Sequence, residues 1–174
     1  MQTHSLDQGN RVPIGFVYHF ELEKDGVVID EWEMHNIVPL AGLNYMGQAM
    51  FGDIAPITTF YLGLFENNYL PAPEATAADL PSVIGEFTGY SEATRPIWQR
   101  VHTNGVHTNE ANRAAFTVTT AKRLYGGFLV SSSAKAGATG TLLSVTRFDS
   151  PKDVEPDMVL RVRGSLSLIP TNIA

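Results

Sequence analysis

The sequence predicts a mainly β chain: an antiparallel two-sheet sandwich, jelly-roll-like, with one short helix. Three observations predict it. Apolar and polar residues alternate with period two in several segments, as half-buried strands require. Gly, Asn, Asp and Pro punctuate the chain between those segments, where tight turns belong. Only one stretch changes to an apolar spacing of three and four residues, the signature of a helix.

The polar residues 1–13, ending at Pro13, are expected to form an N-terminal arm. A single domain follows over 14–170, with a C-terminal tail at 171–174. Phe16, Tyr18, Phe20 and Leu22 alternate with Val17, His19, Glu21 and Glu23, so a half-buried strand is expected there. Asp25-Gly26 then turns the chain, a strong hairpin signal, and Val27 to Met34 returns as the second strand with Glu31 and Glu33 outward. Pro39 ends it. Leu40, Leu43, Met46, Ala49 and Met50 predict a helix over 40–51, closed by Gly52.

Thr58 to Phe65 is aromatic and β-branched and predicts a buried strand, with Gly63 marking a bulge or a close backbone approach. Residues 66–94 carry Pro71, Pro73 and Pro81 and predict a long loop with one helical turn after Thr76. A connection this long is expected to be either functional or docked on a partner. Further strands are expected at 97–101, 114–120, 125–131 and 141–148. A turn is expected from Asp149 to Asp157, and a last alternating strand from Met158 to Leu168. The doubled His-Thr-Asn at 102–109 reads as a turn.

The chain has 174 residues, 44% of them apolar and 17% charged, with a net charge of −6. That length supports one core without a staple. The acidic balance and scattered basic residues argue against nucleic acid. With no cysteine, disulfides, thiolate nucleophiles and Cys-ligated zinc are excluded. The polar N-terminus lacks the apolar region of a secretory signal, and no apolar run spans a bilayer, so synthesis in a cytoplasm and no membrane partner are expected.

Chemistry-bearing patterns are sparse. His102 and His107 could share a metal, but their spacing lacks a supporting carboxylate or cysteine. Asp149, Asp153, Glu155 and Asp157 crowd one turn without the bent loop calcium needs. No Gly-x-Ser-x-Gly elbow or phosphate loop is present. Glu31 and Glu33 share a strand face, as exposed carboxylates commonly do. No catalytic residue, cofactor or metal is therefore assigned, and the chain is not expected to be an enzyme.

The loop aromatics Tyr69, Phe87 and Tyr90 are better placed to anchor an interface, together with Arg95 and, in the arm, Arg11. Several phrases recur in order: Phe60-Tyr61-Leu62-Gly63-Leu64-Phe65, Glu86-Phe87-Thr88-Gly89-Tyr90, Ala93-Thr94-Arg95-Pro96 before Trp98, Gly126-Gly127-Phe128-Leu129 and Leu142-Leu143-Ser144. Over roughly 37–168 this order resembles small bacteriophage and prophage virion proteins. The resemblance implies a β-sandwich piece of the particle, a capsid cement (decoration) protein on the outer shell. The implied partners are the major capsid protein lattice and its own copies, as a homodimer or homotrimer. The alternative is a tail-tip or fibre module that binds a host-surface glycan through loop aromatics.

Overall fold

A computed structural model describes residues 14–168. The expected arm at 1–13 and the tail at 171–174 lie outside the described residues. Among the described residues ten strands form two antiparallel sheets packed as a sandwich. In chain order they are β1 (Val17–Lys24), β2 (Val27–His35), β3 (Tyr61–Phe65), β4 (Glu86–Phe87), β5 (Val101–Thr103), β6 (Val106–Thr108), β7 (Ala114–Thr117), β8 (Lys122–Val130), β9 (Leu142–Val154) and β10 (Val159–Ser167). The helix α1 (Leu40–Phe51) lies between β2 and β3.

The first sheet runs β2-β1-β10-β6-β5, with β7 also paired to β10; the second runs β4-β3-β8-β9. β1 pairs with β10, so the first and last described strands share one ladder. Their alternation is as expected: Phe16, Tyr18, Phe20 and Leu22 face inward against Leu62, Leu64 and Leu129 of the other sheet. Phe148 wedges edge-on against Phe20 at 4.8 Å and Trp32 at 5.2 Å, holding the two sheets together at that end.

Four local expectations are corrected. The doubled His-Thr-Asn is not merely a turn: it builds the β5–β6 hairpin, with His102 opposite His107. Ile97 makes only an isolated bridge to Tyr61. β9 runs on through Pro151 to Val154, where a turn was expected. Proline is tolerated because β9 is an edge strand, with no second ladder needing its missing N–H. The strand expected from Thr58 begins only at Tyr61.

Gly63 confirms the close approach read from its position. A Cβ there would lie 2.1 Å from Phe128, whose ring crosses the strand at that point. Phe128, Phe65, Val130, Leu142 and Val145 form a second buried cluster on the far side of this sheet. The long loop covers it. Ala75, Ala77, Leu80 and Ile84 are all buried there, carried on a capped turn in which Thr76 and Asp79 bond reciprocally. The 66–94 segment is thus a third layer of the core.

Candidate functional site: the outer face of helix α1

The approach to α1 is set by a buried polar knot. The Tyr18 hydroxyl donates to Ser144 Oγ at 2.8 Å, joining the two sheets. Asn36 donates to the same oxygen and to the Ile37 carbonyl, and accepts the Phe16 amide. Burial pushes the Tyr18 phenol above its ordinary pKa, with the Ser144 bond opposing the shift, so the group remains a neutral donor. Ile37 and Val145 then exchange backbone bonds at 3.0 and 3.1 Å, carrying the chain across to the second sheet.

Pro39 precedes the first turn of α1 in an extended conformation, and the Gly52 amide closes the last turn on the Gln48 carbonyl at 2.9 Å. The helix docks through Gly42. A Cβ at that position would meet the Leu143 carbonyl oxygen at 2.7 Å, so only glycine lets the helix lie this close to β9. Tyr45 packs edge-on against Phe60 at 5.8 Å, and Met46 joins the same core.

That docking selects one side of an unusually apolar helix. Residues 36–52 contain no charged side chain. Gly42, Tyr45, Met46 and Ala49 turn inward. Leu40, Leu43 and Met50, which ordinary amphipathic packing would bury, turn outward with Phe51 and Ile54. Phe51 is 87% exposed and Met50 62%. At 3.6 residues per turn, positions 40, 43, 50 and 51 lie on one arc of about 100°, so the exposure is a continuous stripe. Such patches are a recognised mark of protein interaction sites, whereas isolated exposed apolar residues are not.

The residues expected to bind partners are placed otherwise. Phe87 and Tyr90 are buried, Tyr90 edge-on to Phe116 at 5.0 Å. Arg95 is fully enclosed. Its guanidinium grips Glu86 through two bonds of 2.8 and 2.6 Å and donates to the Ser132 and Gly137 carbonyls. Tyr69 is half-buried, edge-on to Phe65, and its hydroxyl accepts the Ala72 amide. These four side chains hold the long loop to the domain. Arg11 lies outside the described residues.

The polar candidates are also resolved geometrically. His102 and His107 do come together, their rings stacked at 4.4 Å. Asp153, in the acidic turn, is paired with Arg123 at 2.7 Å. Glu33 faces Arg163 at 3.9 Å on the outer surface of the first sheet. One group with ligand chemistry that sequence order did not suggest is His19, Glu21 and Glu31, whose donor atoms lie within 4.8 Å of one another. Glu21 is already bonded to Arg113, so a cation there would have to displace a guanidinium. Among the described residues no helix is long and apolar enough to cross a membrane.

No family model matches this sequence, and no curated protein matches it. The site therefore stands on its own geometry. One signal could have found it earlier: a helix with apolar residues on two sides and no charge has more apolar surface than one core face can take.

Proposed function

We propose that this chain is a structural binding domain that docks on other protein surfaces through the outer face of α1, as a cement protein on an assembled bacteriophage capsid. The observation that carries the docking reading is the uncharged stripe of Leu40, Leu43, Met50, Phe51 and Ile54. Burying such side chains gains about 1.5–3 kcal/mol each, enough for a few to anchor an interface. A rigid sandwich braced by a buried ion pair suits a tile repeated on a lattice, where many modest contacts add up. The capsid is the partner implied by the resemblance over 37–168, and the acidic surface, at −6, is consistent with a site outside the packaged nucleic acid.

The alternative, a glycan-binding tail module, relied on loop aromatics. Phe87 and Tyr90 are enclosed, which leaves the half-buried Tyr69 as the one of these three aromatics that a sugar could reach.

Co-sedimentation with shells of the phage or prophage encoding it tests the proposal. Wild-type protein is expected to saturate assembled shells while binding free capsid subunits weakly. Phe51→Asp should abolish shell binding and leave the fold intact. Wild-type protein that ignores intact shells would overturn the capsid reading.

A further inference from the structure

Beneath the inner side of α1 the domain keeps an open cleft of about 330 Å³. Tyr45, Ala49, Phe60, Trp98 and Leu166 form its apolar walls, between the helix and the β5–β6 hairpin. That size falls at the lower end of small-molecule sites. The cleft opens beside the docking stripe and shares Met50 with it, whereas Leu40, Leu43 and Phe51 do not line it.

Its polar lining points to one chemistry. Two bases, Arg100 and His107, line it, and among the described residues no carboxylate does. Arg100 donates to the Thr58 carbonyl at 3.1 Å and lies over the Trp98 ring at 5.3 Å. Among the described residues it pairs with no acid, whereas Arg95, Arg113, Arg123, Arg161 and Arg163 each do. His107 is held below its ordinary pKa by burial first, then by His102 and Arg100. The Tyr45 hydroxyl accepts the Ile57 amide at 2.8 Å, which leaves its own proton to donate. An occupant must therefore be apolar along most of its length and present an anionic acceptor at one end.

We propose that this cleft binds an aliphatic carboxylic acid of medium chain length, with its carboxylate toward Arg100 and His107 and its chain along Trp98 and Phe60.

Titration calorimetry with decanoate and with decanol, followed also by Trp98 fluorescence, tests this on the full chain. Decanoate is expected to bind saturably, and decanol about tenfold more weakly, since it lacks the charge-assisted bonds. Arg100→Gln should reduce decanoate affinity about tenfold and leave decanol unchanged. Leu168→Glu, at an exposed position on the cleft wall, should act the same way by adding a like charge. Ala49→Trp should fill the cleft and block both ligands, with thermal melts reporting that each variant folds. Equal affinity for decanoate and decanol, an Arg100→Gln variant that binds decanoate normally, or no saturable decanoate binding would overturn the proposal. Phe51→Asp is expected to retain decanoate binding, so this site and the capsid reading can fail separately.

Discussion

The 66–94 loop and helix α1 meet where the Leu40 amide donates to the Pro73 carbonyl at 2.8 Å, yet they distribute chemistry in opposite ways. The loop is rich in proline and polar residues, and at its end it leads into a charged pair, Glu86 and Arg95, that is wholly buried. The helix has no charge and leaves Leu40, Leu43, Met50 and Phe51 in solvent. Burial in this domain therefore follows available partners more than residue polarity. Arg95 can be enclosed because every side of its guanidinium is met: a bidentate carboxylate, two carbonyls and the Phe128 ring at 5.4 Å. Leu43 and Phe51 stay outside because Gly42 already fixes which side of the helix touches β9.

The most severe test of this contrast is Arg95→Ala. It strands Glu86 in the core and should cost about 3–5 kcal/mol in urea unfolding. A double replacement, Arg95→Met with Glu86→Leu, should recover most of that, because no unpaired charge remains. A loss below about 1 kcal/mol in the single variant would show that the loop opens easily and is no true third layer. Next in size is Gly63→Ala. The added methyl meets the Phe128 ring, which supports the second cluster, and should cost about 1–3 kcal/mol. Phe51→Ser, by contrast, should change stability by no more than about 0.5 kcal/mol, since the side chain contacts little in the folded chain. A larger loss would mean that the stripe belongs to the core after all.

The smallest effects are expected on acidification, near the β5–β6 hairpin. His107 is a base with a depressed pKa, so the unfolded chain takes up its proton first. Its contribution is unaffected well above pH 6.5 and is lost as pH falls below that value. Glu110 is held down to about 2 by its bonds to Arg163 and Arg113. Its stabilisation is complete above the ordinary 4.5 and is lost as pH falls toward 2. Thermal melts should therefore decline in two windows, and His107→Gln should remove only the upper one. The size is modest in both cases because both groups are partly solvated.

Much of the architecture was legible locally. The β1–β2 hairpin, the span of α1, the capped turn at Thr76 and the inward face of β10 all follow from period, turn chemistry and capping, which act over a few residues. Errors arose where local signals were ambiguous. Pro151 reads as a break until β9 is known to be an edge strand, and His-Thr-Asn repeats read as a turn until β6 finds β10. The expected partner anchors Phe87, Tyr90 and Arg95 were misplaced for a related reason. A loop aromatic looks exposed until the loop is known to cover a sheet.

The sequence by itself determined the β1–β2 hairpin, the last strand and the span of α1, and that the chain folds without cysteine chemistry. Only the tertiary structure decided the order of strands across the two sheets, the enclosure of Arg95 and the outward turn of Leu40, Leu43, Met50 and Phe51. The physical reason is range. Periodicity and turns are set by neighbours along the chain, whereas burial depends on surfaces that meet only after residues such as Asn36 and Ser144, distant in sequence, have been brought together.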